Sequence, residues 1–137
     1  MANRAIIVIT HGELGIELIK SAEMIMGPQE DVKGLGLRPG ESVDDLRAEA
    51  GETVEKFKED GKEIIVCCDV LGGSPSNVAL FLAAKYDLQI FTGVNMPLLI
   101  ELFQGYQDDE DTEELLNRAE ATGSEGVKRL AKDFLKK

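Results

Sequence analysis

Apolar positions along this chain fall into two alternating rhythms. Arg4 to Thr10 ("RAIIVIT") and Lys62 to Asp69 ("KEIIVCCD") are short, nearly continuous apolar runs rich in β-branched residues, as expected for strands buried on both faces. After the first run, Leu14, Leu18, Ile19, Ala22, Ile25 and Met26 recur at helical spacing, and Gly27–Pro28 stops that helix. "VKGLGL" (Val32 to Leu37) is a weaker second strand, followed by a loop at "RPGES". Ser42, with Asp45 three residues on, reads as a helix cap. The helix it starts should run from about Val43 to about Asp60, with Leu46, Ala50, Val54 and Phe57 on one face and Gly61 ending it. "LGGSPSN" interrupts after the third strand, and a helix near Ser76 to Tyr86 carries Val78, Ala79, Phe81 and Leu82. "LQIFTG" (Leu88 to Gly93) is the fourth strand. From "VNMPLLIELFQGY" onward the pattern is helical, broken by the acidic "DDEDTEE" and by Gly123 and Gly126, with Pro97 suited to a first helical turn.

Strand and helix thus alternate, which implies the α/β class: a mostly parallel central sheet with right-handed crossovers and helices on both faces. A single strand before the first helix makes strands one and three neighbours. Ligands of such sheets bind beyond the carboxyl ends of the strands, where the strand order reverses. Strand one ends at His11 and strand three at Asp69, so these two residues should face one crevice.

Composition narrows the function classes. At 137 residues the chain fits one domain, residues 1–137, and 43% hydrophobic residues make it globular. Fifteen Lys and Arg stand against 26 Asp and Glu, a net charge of −11. That balance repels phosphate backbones, so nucleic acid is not an expected partner, whereas a basic protein would be steered toward it. No run approaches the roughly 20 apolar residues of a membrane span, and "MANRAIIVIT" lacks a signal-peptide layout. The expected location is cytoplasmic. Cys67 and Cys68 are adjacent on a strand and point to opposite faces, which suits two buried thiols and neither a disulfide nor a zinc site. One histidine and no suitable cysteine spacing argue against a transition metal. No G-x-x-x-x-G-K-[ST] or G-x-G-x-x-G is present, so no cofactor is expected.

The chemistry concentrates on the single histidine. A carboxylate beside an imidazole accepts one ring N–H, fixes the tautomer and leaves the other nitrogen as nucleophile or base. Asp69 could do this for His11. Gly72 and Gly73 let the backbone turn so that amide N–H groups form an anion nest. Ser74 offers a hydroxyl and a cap for the next helix, whose N-terminus favours negative charge. Gly12 keeps the approach to His11 open. Locally, a turn with an N-cap fits Gly-Gly-Ser-Pro equally well, and a solvated acid fits Asp69. Ser74, His11 and Asp69 could also compose a hydrolase triad, but no G-x-S-x-G elbow presents the serine.

At "VITHGELGIELIKSAEMIMG", "CCDVLGGSPSNVA", "FTGVNMPLLIEL" and "ATGSEGVKRL" the chain resembles the enzyme IIA component of the mannose-type sugar phosphotransferase system. The likeness covers nearly the whole chain with consistent spacing. It implies a phosphotransferase component in which His11 accepts a phosphoryl group on Nε2 from the carrier protein HPr. Asp69 would hold Nδ1, with Ser74 and the amides around Gly73 at the phosphoryl group. A separate IIB component would be the acceptor, working with membrane IIC and IID subunits. The resemblance also implies a homodimer whose sheet gains an antiparallel strand exchanged between subunits. Some relatives continue through an Ala/Pro-rich linker into a IIB domain, whereas this chain stops at Lys137, so a free-standing IIA is expected. Cys68 and Leu71 depart from the pattern without touching the chemistry. The phosphocarrier subunit of dihydroxyacetone kinase and phosphoacceptor modules of transcriptional regulators share the fold and histidine. Within this likeness, the "HG" pair and the Asn of "GVN" favour the sugar-transport branch. The sugar is not legible, because IIA does not contact it.

Overall fold

A computed structural model describes residues 3–136. Its centre is a four-stranded, wholly parallel sheet in the order β2-β1-β3-β4, formed by β1 (Arg4–His11), β2 (Val32–Leu37), β3 (Glu63–Cys68) and β4 (Leu88–Phe91). The two longest apolar runs of the sequence are the two inner strands. Between Ala5 and Thr10 no residue of β1 is more than 1% exposed, because helices cover both faces of an inner parallel strand. The weaker patterns, "VKGLGL" and "LQIF", are the edges.

The β1–β3 register pairs Ile6 with Ile65 and Val8 with Cys67, while Ile7 pairs with Val66 and Ile9 with Cys68. Side chains alternate across a strand, so these pairs feed two separate cores. One contains Ile6, Val8, Ile65 and Cys67 with apolar residues of α1 (Leu14–Met26), α4 (Met96–Gly105) and α5 (Thr112–Glu125). The other contains Ile7, Ile9, Val66 and Cys68 with residues of α2 (Val43–Glu59) and α3 (Ser74–Ala83). Helices therefore cover both faces, as the alternation of elements predicts.

Most helix starts obey local chemistry. The Ser42 hydroxyl accepts from the Asp45 N–H at 3.3 Å, and the Asn95 side-chain oxygen accepts from Leu98 N–H at 3.0 Å; each such cap contributes about 1 kcal/mol. Arg4 is buried at the amino end of β1, where its guanidinium donates to the carbonyls of Asp108 and Glu110 and to the Thr112 hydroxyl. This ties the acidic α4–α5 connection to the sheet.

Some expectations need correction. The third helix begins at Ser74 rather than near Ser76 and ends at Ala83 rather than Tyr86. Phe81 lies on the outside of α3, 53% exposed, under the Arg47 guanidinium 4.7 Å from its ring centroid. Leu14 and Ile25 are also exposed, since a helix laid on a flat sheet buries a narrower stripe than their spacing suggests. The strands of one chain pair only in parallel among the described residues; the expected antiparallel strand is one contributed by a second copy. After α5 the chain continues to a short 3-10 helix, Lys132–Lys136. Among the described residues no helix is long and apolar enough to cross a membrane.

Cys67 and Cys68 are buried in the two cores, and burial pushes both thiols well above the usual range. Reactivity needs the thiolate. Neither cysteine should be alkylated by iodoacetamide at neutral pH in the folded protein, and both should react in denaturant, as read by intact mass.

Candidate functional site

His11 is the last residue of β1, and the chain turns away immediately after it. Gly12 has φ +57, a conformation that glycine adopts without the usual Cβ penalty. Its N–H donates to the Leu37 carbonyl at 2.7 Å, which anchors the turn to β2. On the neighbouring strand, a Cβ at Gly36 would overlap the Gly12 carbonyl oxygen. The turn that carries the histidine is thus packed directly on the bare backbone of β2.

Asp69 follows β3 and reaches across to its neighbour strand. Its Oδ2 accepts the His11 backbone N–H at 3.0 Å and lies 2.8 Å from His11 Nδ1. Its Oδ1 accepts the Val70 N–H at 3.0 Å. Burial by itself pushes this carboxyl up, but the backbone and ring hydrogen bonds from His11, the Val70 N–H and the charge of the imidazole together outweigh it and hold the group below its ordinary value. An ionised carboxylate only accepts, so Nδ1 carries the proton, and in the neutral ring the lone pair is then on Nε2. The Asp69 side chain is 11% exposed and that of His11 is 51% exposed. The anchored partner is covered, and the ring it orients is open to solvent.

The Nε2 edge of that ring meets the start of α3. A Cβ at Gly73 would lie 2.8 Å from His11 Cε1 and 3.3 Å from Nε2, so only glycine lets the helix start approach the ring this closely. Gly73 is also the N-cap residue of α3. Helix N-termini carry unpaired N–H groups and partial positive charge, and Pro75 removes one of those donors. The arrangement sets an available imidazole lone pair beside a site suited to an anion.

The expected site residues therefore converge, with two changes of role. Gly72, at φ +94, supplies the turn, but its N–H donates to the Ser76 hydroxyl at 3.0 Å rather than being free for a ligand. Ser74 is not the cap: it is the first helical residue, and Ser76 holds the turn by also donating to the Gly73 carbonyl at 3.0 Å. Ser74 makes no hydrogen bond to His11, so the hydrolase triad is not assembled. Ser76 and Gly36 escaped the sequence reading. A glycine inside a strand signals close backbone approach, and "VKGLGL" carries two. Nothing local marks Ser76. Among the described residues no group of three or more His, Cys, Asp or Glu side chains could hold a metal ion.

Fold and site together define an α/β protein whose one histidine, paired with a carboxylate, lies at the switch point of a parallel sheet and faces a helix N-terminus. Residues 5–120 match the family model EIIA-man, the PTS system fructose IIA component. The chain belongs to this mannose-type enzyme IIA family of the sugar phosphotransferase system. It is 36% identical over 127 residues to the mannose-specific EIIAB component of Escherichia coli K12, a match covering 92% of this chain and 39% of that protein. The chain thus spans about two fifths of the length of that relative. It is 27% identical over 118 residues to the fructose-specific EIIA component of Bacillus subtilis, covering 85% of this chain and 80% of that one. The crystal structure of the PTS IIA protein associated with the fucose utilization operon of Streptococcus pneumoniae superposes with a TM-score of 0.82 at 34% identity, covering 94% and 96% of the two chains.

Because the folded Asp69 titrates below its ordinary value, its contribution to stability is complete above the usual carboxylate pKa of about 3.9 and is lost as pH falls through the lower folded value. Asp69→Asn should flatten the acid limb of the unfolding midpoint against pH. An unchanged acid limb would contradict the charged hydrogen-bond network described here.

Proposed function

We propose that this chain is a phosphohistidine carrier, with residues 1–137 acting as one IIA unit. It takes a phosphoryl group from phospho-HPr on His11 and passes it to a IIB component, which works with membrane IIC and IID subunits in sugar uptake and phosphorylation. The observation that carries this reading is the 2.8 Å contact of Nδ1 with Asp69, which leaves the Nε2 lone pair at the start of α3. Family membership supports the same partners.

The Nε2 lone pair attacks phosphorus as the N–P bond of the donor phosphohistidine breaks, and the electron pair of that bond returns to the donor ring. No proton need move, because Nδ1–H stays on Asp69. The phosphorylated ring is formally cationic, and the Asp69 carboxylate stabilises it. Ser74 and the amides at Gly73 and beyond are the proposed phosphoryl contacts, with Gly12 leaving the ring accessible. Catalysis of this kind needs positioning and charge stabilisation, and neither a cofactor nor a metal is part of the proposal. The working location is cytoplasmic, where the net charge of −11 would steer a basic carrier protein.

We also infer that two copies associate. β4 is an open edge, with a cavity of about 530 Å³ alongside it lined by Gln89, Ile90, Phe91, Leu116 and Val127 among others. Val127, Leu130, Phe134 and Leu135 are exposed beyond α5. A strand exchanged from a second copy would cover both. Light scattering should report twice the mass of one chain, and truncation after Gly126 should give a monomer. A monomeric full chain would remove this inference.

Incubation with phosphoenolpyruvate, enzyme I and HPr should add one acid-labile phosphate by intact mass, dependent on HPr and absent in His11→Ala. Gly73→Ala should slow the addition roughly tenfold to a hundredfold by displacing the ring. No adduct with a working enzyme I and HPr would overturn the carrier reading.

A further inference from the structure

Thr10 breaks the pattern of its strand. Ile6, Ile7, Val8 and Ile9 precede it, and it is as buried as they are, at 0% exposure. A valine would match its shape and continue the run, so the buried hydroxyl needs a reason. That hydroxyl accepts the Gly15 N–H at 2.8 Å and donates to the His11 carbonyl at 3.2 Å. It therefore bridges the two ends of the turn that holds His11, Gly12, Glu13 and Leu14.

Helix α1 is otherwise uncapped. Its N-cap residue, Glu13, makes no side-chain capping bond, and the acceptor for a first-turn amide comes instead from five residues upstream. Strand β1 and the helix are in tight contact there: a Cβ at Gly15 would lie 2.8 Å from Val8 Cγ1 and 3.0 Å from Thr10 Cγ2. The start of α1 is seated on β1, and Thr10 is the hydrogen-bonding pin at the seat. The residue between the pin and the Gly12 turn is His11, whose N–H and Nδ1 must both reach Asp69 Oδ2.

We propose that Thr10 is a positioning residue for His11, acting through its hydroxyl. By holding the His11 carbonyl and the Gly15 amide in one frame, it fixes the backbone from which the imidazole projects. The ring then keeps its Nδ1–H on Asp69 and its Nε2 edge at Gly73. The expected effect on transfer rests on the carrier reading above, whereas the effect on the ring tautomer does not.

Thr10→Val removes the hydroxyl and keeps the shape; Thr10→Ser keeps the hydroxyl and removes the methyl. Because the chain has one histidine, its ring nitrogens can be followed singly by ¹⁵N NMR in the unphosphorylated protein. Thr10→Val should show mixed imidazole tautomers and accept a phosphoryl group from phospho-HPr roughly tenfold to a hundredfold more slowly, with KM for the donor unchanged. Thr10→Ser should keep the parent's tautomer and rate. A Thr10→Val variant with the parent's tautomer and a lower melting temperature alone would reduce Thr10 to a helix cap and overturn the proposal. Loss of the parent tautomer in folded Thr10→Ser would overturn it even if Thr10→Val did not fold. If the parent itself accepted no phosphoryl group, the carrier reading would fall while the tautomer measurement still tested Thr10.

Discussion

The pairing of one carboxylate oxygen with two groups of the same residue governs this structure. Asp69 Oδ2 takes both the backbone N–H and the ring Nδ1 of His11, so it fixes where the residue sits and how its ring is turned. Such a contact requires the two residues to lie at the ends of adjacent parallel strands, and the β1–β3 pairing, which runs as far as Ile9 and Cys68, meets that need. It also requires the carboxylate to remain ionised although partly covered, which the Val70 N–H on the other oxygen assists. Displacing either strand end by one residue would turn the ring toward the opposite face of the sheet.

Around that contact the backbone is brought unusually close from two sides. Gly36 of β2 lies against the Gly12 carbonyl, and Gly73 of α3 lies against the imidazole. Both approaches exclude a side chain for steric reasons, and both sharpen position at the expense of the conformational entropy that glycine loses on folding. Rigidity here has a chemical rationale in the proposed carrier. Transfer between two imidazoles demands little bond-making machinery from the protein, so the barrier depends on how well the acceptor nitrogen is aimed.

Charge presents the opposing demand. A chain of net charge −11 disfavours an arriving phosphoryl group by long-range repulsion, although solvent and salt screen much of that within about 10 Å. Locally that repulsion is opposed, since the N-terminus of α3 faces the ring and Asp69 is engaged by hydrogen-bond donors. In the proposed carrier, global acidity and a locally receptive crevice are compatible because the first would act on approaching partners and the second on one bound group.

Much of this was legible from the residues. Two rhythms of apolar spacing marked four strands and the helices between them. The β2 bounds read from the pattern coincide with those observed, and the chain-order argument placed His11 and Asp69 at neighbouring strand ends. Other features depended on distant segments meeting. That Ser76 rather than Ser74 holds the α3 turn, that Gly72 gives its amide to that serine, and that Phe81 lies outside under Arg47 follow from how helices settle on the sheet. Gly36 matters because β2 is packed against the histidine turn, and no local window contains both partners; Thr10 and Gly15 are close in sequence, but the hydroxyl between them is buried only because α1 is seated on β1. Periodicity records which face of an element avoids water, so the sequence alone determined the elements, their order and the residue types available for chemistry. Ångström-scale contacts between elements decided the ring orientation, the free donors and the close approaches, because these depend on packing that only the folded chain brings about.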